Sequence, residues 1–194
     1  MPENKVQFNL KNVHYAVLTE TITEEAVTDS WATPVHVPGA VNLSLEAQGE
    51  ITPFYADGIV YYQTVANNGY SGDLEMARFI DKMMKDIWGW IEGATSKVLT
   101  ENASKEPKSF ALLFQIDGDS GNDCYVMYNC SGTRPAISST TNTETKEPVT
   151  QSSTISAVPL EDGTVFARTT AETPADVRNG WFKSVFRESQ TAAE

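Results

Sequence analysis

The sequence predicts a mainly β protein: an antiparallel sandwich or barrel with one short flanking amphipathic helix and long mobile loops. Three observations carry this. Runs rich in β-branched and aromatic residues recur along the chain, separated by Gly, Asn and Asp, which is the pattern of short strands joined by turns. One run, Ala40–Gln48 (AVNLSLEAQ), alternates apolar and polar residues, as a strand with one face on a core does. Only the stretch around 79–89 has helical apolar spacing. At 194 residues, a single domain over 1–194 is the simplest organisation, and a globule of that size hides about 70% of the surface its unfolded chain exposes.

In chain order, Asn12–Thr19 (NVHYAVLT) is apolar on both parities. In Ala40–Gln48, Val41, Leu43, Leu45 and Ala47 are expected to face inward and Asn42, Ser44, Glu46 and Gln48 outward. Asp57-Gly58 lies between Phe54-Tyr55 and Ile59–Tyr62, a hairpin-turn signal, and Asn68-Gly69 supplies the next turn. The glycines around Ser71 read as corners, with a strand following through Leu74 and Met76.

Ile80, Met83, Met84, Ile87 and Trp88 then recur at helical spacing, with Asp81, Lys82, Lys85 and Asp86 opposite, and Gly89 offers a left-handed stop. Phe110–Ile116 and Cys124–Cys130 flank an Asp/Gly/Asn loop and read as a hairpin. Thr141–Pro148 reads as a mobile loop leading into a strand near Val149–Val158. Thr164–Thr169 and Trp181–Phe186 read as the final strands, roughly eight to eleven in all, and the tail after about 187 as disordered.

Acidic residues outnumber basic ones 26 to 14, a net charge of −12. Nucleic-acid binders present a basic stripe, whereas here Lys and Arg are scattered apart from Lys82 and Lys85 around Met83-Met84. Tight phosphate binding is not expected from this pattern, whereas a surface that repels nucleic acid is compatible with it. The N-terminus MPENKVQFNL has no apolar signal core, and no apolar run reaches the ~18 residues of a membrane span. Synthesis in a cytoplasm without export is the expectation, and the sequons at Asn42, Asn102 and Asn129 then carry little weight. On one extended strand Cys124 and Cys130 would stand nearly 20 Å apart, so they are expected as two buried thiols.

No catalytic, cofactor-binding or metal-ligating residue is assigned. Ser71 in Gly69-Tyr70-Ser71-Gly72-Asp73 lacks the last glycine of a nucleophile elbow and the helix that must follow it, and no P-loop is present. The acidic loop Asp117–Asp123 invites a calcium reading. Its twelfth position, counted from Asp117, is Tyr128 where an EF-hand needs Glu, and a plain hairpin loop is the stronger reading. His14 and His36 lack the paired spacing of a zinc site. No carboxylate pair stands out from a solvated surface, and Tyr61, Tyr62 and Tyr70 suit core or subunit contacts better than a glycan platform.

The blocks KNVHYAVLTE, PGAVNLSLEAQGEITPFYADGIVYYQTVANNGYSGDLEMA (Pro38–Ala77), EPKSFALLFQIDGD (Glu106–Asp119), YNCSGTRPAIS (Tyr128–Ser138) and GWFKSVF (Gly180–Phe186) together resemble the major tail proteins, or tail tube proteins, of long-tailed (siphovirus-type) bacteriophages and prophages of Gram-positive bacteria. The blocks occur in the family's order over nearly the whole chain, and as a set they are specific. Met83–Glu92 and the Thr-rich loop are more individual to this chain.

The resemblance implies a β-sandwich with a flanking helix that closes into hexameric rings. The rings stack into a hollow tube that conducts DNA out of the virion without binding it specifically. It implies a structural virion protein of the tail, assembled in the host bacterial cytoplasm, with no enzymatic activity, cofactor or membrane. Its partners would be itself and other tail proteins such as the tape measure, tail terminator and distal tail proteins. Some relatives carry a C-terminal immunoglobulin-like module, for which the residues after Phe186 leave no room.

The charge fits that role: at physiological salt an acidic lining repels phosphate over only about 8 Å, enough to prevent adhesion. Hairpins within Ala40–Ala77 and Phe110–Cys130 are expected to join a shared barrel. The loops Thr21–Val37 and Ser138–Pro148 are expected to be mobile in the free subunit and to order between rings. The alternative readings are a secreted or cell-surface β-sandwich for adhesion or carbohydrate binding and, behind it, a small hydrolase.

Overall fold

A computed structural model describes residues 3–22, 27–141 and 148–188. The fold is mainly β, with a large antiparallel sheet and two short helices. Strand β1 (Gln7–Ile22) pairs with β2 (Val27–Trp31), with β3 (Val35–His36) and, on its other edge, with β10. A long excursion follows: β4 (Ala40–Gln48), β5 (Ile51–Ala56), β6 (Ile59–Val65) and β7 (Gly69–Met76). Helix α1 (Asp81–Asp86) and the short hairpin β8 (Ile91–Glu92) and β9 (Leu99–Thr100) lead to β10 (Phe110–Gly118) and β11 (Asn122–Gly132). The chain closes with β12 (Gln151–Ala157), β13 (Phe166–Arg168) and α2 (Ala175–Gly180). The main sheet runs β2-β1-β10-β11-β12-β7-β4, with β13 on β11.

The centre of this sheet is covered on both faces, which explains why its strands are apolar on both parities. On one face Val13, Tyr15, Leu74, Phe110, Leu112, Met127 and Ile155 form a core closed by Phe79, Met83, Met84, Ile87 and Trp88. On the other, Ala16, Leu18, Ala111, Leu113, Val126 and Tyr128 pack under Leu160 and Trp181. A register shift between Phe110 and Leu112 adds one residue to β11. Met127 and Cys130, three apart, thereby share the first core, where strict alternation would separate them.

The helix is shorter than the expected 79–89. Ile80 caps it without a side-chain hydrogen bond, Ile87 ends it, and Gly89 takes φ +67° beyond it. The apolar stripe nevertheless packs inward as its spacing predicts, with Ile80 half-buried. The Tyr15 hydroxyl donates to Asp86 at 2.8 Å and Lys82 reaches the same oxygen at 2.6 Å, fixing the helix to β1. Burial, followed by the Asp86 carboxylate, pushes the Tyr15 hydroxyl well above the usual phenol range.

Several other expectations are corrected. Trp181–Phe186 is not a strand but a turn following α2. A strand would send Trp181 and Phe186 to opposite faces, yet both rings belong to the second core, stacked at 5.3 Å. The described residues hold thirteen strands rather than eight to eleven, because several are only two or three residues long.

The Thr21–Val37 stretch contains β2 and β3. Trp31 anchors β2 there by donating its indole N–H to the Tyr128 carbonyl at 3.0 Å. Residues 23–26 of that stretch, 142–147 of the Ser138–Pro148 loop, and the tail from 189 lie outside the described residues. Gly72 is not a corner either. It lies mid-strand between β4 and β12, where a Cβ would come within 1.8 Å of the Ser44 carbonyl oxygen.

Candidate functional site

The feature that stands apart is the excursion from β4 to β7. Its base pairs β4 with β7 from Ala40↔Met76 to Gln48↔Gly69, and its outer half pairs β5 with β6 from Ile51↔Val65 to Ala56↔Ile59. Backbone bonds from Asn68 N–H to the Gln48 carbonyl (2.8 Å) and from Ala66 N–H to the Glu50 carbonyl (3.0 Å) bridge the halves, making one long hairpin. Its tip is the Asp57-Gly58 turn, with φ of +54° and +78°, as a two-residue I′ turn requires.

Beyond the base, neither face is covered. Ile51, Phe54, Tyr55, Ile59, Val60, Tyr61, Tyr62 and Val65 are 48–73% exposed. Ile51 opposes Val65 on one face and Phe54 opposes Tyr62 on the other, so the apolar groups are not confined to a side that could fold back onto the body. Monomeric proteins rarely leave contiguous apolar surface of this kind, and a lone two-stranded ribbon is marginally stable in water. No Lys, Arg or His occurs between His36 and Arg78, so the hairpin is also without cations. That gap was available in the sequence as a signal that this stretch differs from an ordinary mixed surface, and composition counted over the whole chain hides it. The exposure itself had no sequence signal.

The residues weighed from sequence are mostly dispersed. Ser71 lies in β7 opposite Glu46 and Ser156, mid-strand and not on a strand-to-helix turn. Each aspartate of the Asp117–Asp123 loop has a partner within the chain. Asp117 pairs with Lys11 and accepts from Gln115, and Asp119 accepts the Lys5 backbone N–H at 2.8 Å. Asp123 accepts from Asn4 at 3.1 Å. The Lys11 contact holds Asp117 below the usual carboxylate range, and the loop serves as a clasp for the N-terminal segment. Beside it, a cleft of about 400 Å³ contains Arg178, whose guanidinium already donates to the carbonyls of Thr170, Thr173 and Asn122.

His14 and His36, distant in sequence, are paired across β1 and β3 with ring centroids 4.9 Å apart. His14 also stacks on Phe182 at 4.7 Å. Burial lowers its pKa below the usual 6.5, partly offset by its bond to the Asn12 carbonyl and reinforced by His36. Among the described residues no group of three or more His, Cys, Asp and Glu is arranged to hold a metal. Cys124 and Cys130 are free and buried as expected, and burial pushes the Cys130 thiol up to about 12. Of the tyrosines, Tyr61 and Tyr62 are exposed on the hairpin, whereas Tyr70 packs edge-on to Phe166 at 5.6 Å.

Taken together, fold and surface describe a mainly β protein whose most distinctive surface is a projecting, cation-free apolar hairpin. No family model matches the chain, and no curated protein sequence matches it.

Proposed function

We propose that the protein is a non-enzymatic structural subunit that assembles with copies of itself into stacked six-membered rings, forming the hollow tail tube of a long-tailed bacteriophage. The observation that carries this reading is the β5–β6 hairpin, whose exposed apolar side chains on both faces need cover that the described residues of its own chain do not provide. A second copy is the occupant that fits. The hairpin continues the strands of β4 and β7, and β4 is the last strand of the main sheet, so a neighbour can both cover the hairpin and extend the edge. Full burial of a large apolar side chain is worth about 1.5–3 kcal/mol, so even partial cover of the hairpin would offset a substantial part of the entropy of association.

The chain's net charge of −12 supports passage of a polyanion through such a tube without adhesion. Electron microscopy of the purified protein at high concentration tests the proposal. Hollow rods or rings with a duplex-wide bore are expected, and persistent single subunits that bind a glycan through Tyr61 and Tyr62 would overturn it in favour of a carbohydrate-binding module.

A further inference from the structure

The two histidines of the chain lack metal-site spacing in sequence, yet the fold sets them side by side. His14 comes from β1 and His36 from β3, the two-residue strand that returns to β1 shortly before β4 begins. The Val37 N–H donates to the Val13 carbonyl at 2.8 Å. That bond marks Val13 and Val37 as a hydrogen-bonded pair. Their neighbours His14 and His36 are then a non-hydrogen-bonded pair, the cross-strand position at which side chains stand closest.

The His14 ring is set up to offer a lone pair. Its Nδ1 lies 2.7 Å from the Asn12 carbonyl oxygen. A carbonyl only accepts, so Nδ1 carries the proton and Nε2 keeps its lone pair. An imidazole N–H held by a backbone carbonyl is the common outer partner of a metal-binding histidine. Phe182, stacked on the ring at 4.7 Å, fixes its plane, and burial favours the neutral form. His36 is exposed, so ions in solution reach the pair.

The spacing of the rings suits a shared ion. An ion bonded to one nitrogen of each ring at about 2.1 Å lies about 3.2 Å from each ring centre. Bonds at a right angle then put the centres about 4.5 Å apart, and tetrahedral bonds about 5.2 Å apart. The observed separation is 4.9 Å. A nitrogen lone pair lies in the plane of its ring, and the two planes are inclined at 46°. Inclined planes meet, so one ion can lie in both; parallel stacked rings could not share it.

We propose that His14 and His36 form a two-nitrogen site for a divalent transition-metal ion of the zinc, copper or nickel type, with water completing its coordination. Imidazole suits these ions, whereas magnesium and calcium prefer oxygen ligands. The net charge of −12 raises the concentration of any divalent cation near the surface. The bound ion ties β3 to β1, closes the chain between residues 14 and 36, and fixes the point from which the β4–β7 excursion departs. The site needs only the single subunit and does not depend on the assembly proposed above.

Untagged subunit stripped of metal by a chelator, then freed of the chelator, tests this with Cu²⁺ and Zn²⁺ as probes. Equimolar Cu²⁺ should give an electron paramagnetic resonance spectrum split by two imidazole nitrogens, because the chain has no other histidine. Zn²⁺ at about a hundredfold excess over its dissociation constant should raise Tm by about 5–10 °C, and Ca²⁺ at the same concentration should not. Since His36 is exposed, His36→Gln should fold as the wild type does and lose both responses. His14→Gln should lose them too, and if it does not fold, His36→Gln decides alone. A copper spectrum with one imidazole nitrogen or none overturns the site. So does a zinc response that Ca²⁺ reproduces or that His36→Gln leaves unchanged, which would place the ion on carboxylates.

Discussion

Strands β6 and β10 are nearly interchangeable as sequence. One reads IVYYQTV and the other opens FALLFQI, each apolar on both parities. In the structure they are opposites. Phe110–Phe114 of β10 are at most 4% exposed, buried between two cores, whereas every residue of β6 is exposed. A continuous apolar run says that both faces of a strand will be covered, but not by what. For β10 the cover comes from α1 on one side and the Trp181–Phe186 turn on the other. For β6 the described chain offers none. The first region accounts for the stability of the fold, and the second is the surface that the proposed assembly would cover.

The largest expected effect breaks the covered side of the comparison. Phe110→Ala should cost about 3–5 kcal/mol of unfolding free energy, since the ring is lost from a closed core; denaturant titration of the dispersed subunit measures it. A loss below about 1 kcal/mol, within the range of ordinary surface changes, would mean that this sheet is not the stability centre. Next comes the junction between the regions. Gly72→Ala puts a Cβ against the Ser44 carbonyl, and forcing β4 from β7 should cost about 1–3 kcal/mol. Because β4 is held by β7 alone in the sheet order, amide exchange should quicken first in Ala40–Gln48. Unchanged exchange there would show that β4 has another hold.

Much of the strand pattern was legible from sequence for a physical reason: local spacing and turn chemistry determine strands, and the Asp57-Gly58 turn, the β10–β11 hairpin and the Met/Trp stripe of α1 are all local patterns. What failed depended on long-range geometry. Trp181–Phe186 has strand-like composition, but both rings are needed in one core. Val41 is exposed despite the clean alternation of AVNLSLEAQ, because a register shift lies between Ala40 and Asn42. The approach of His14 to His36 could not be read from spacing, since it depends on β3 returning to β1. In the β5–β6 hairpin the strands were legible but their exposure was not.

That histidine pair gives a pH test of the covered region. His14 titrates below its ordinary 6.5 in the folded subunit, chiefly through burial, so near that pH the unfolded chain binds more protons. Its contribution to stability is therefore present above 6.5 and falls away as pH drops through that value towards the folded pKa. Thermal unfolding of the metal-free subunit between pH 7.5 and about 5 should show a decline that is shallower in His14→Phe. An identical decline in the variant would mean that His14 does not carry the acid sensitivity of this window; Asp117 and Asp162, whose pKa values are lowered, lose their contribution only at lower pH.

The smallest effect on the subunit is the most informative. Phe54 and Tyr62 oppose each other on one face of the hairpin and are 60% and 63% exposed. In a Phe54→Ser/Tyr62→Ser variant, the unfolding free energy of the dispersed subunit should change by no more than about 0.5 kcal/mol per site, because little contact within the chain is lost. Rod formation should nevertheless disappear, since the same substitutions remove the apolar area a neighbour would cover. The two readouts separate regions that composition cannot. A subunit destabilised as Phe110→Ala is would mean the hairpin is already supported from within its own chain; a stable subunit that still builds rods would mean that its aromatic residues serve some purpose other than assembly.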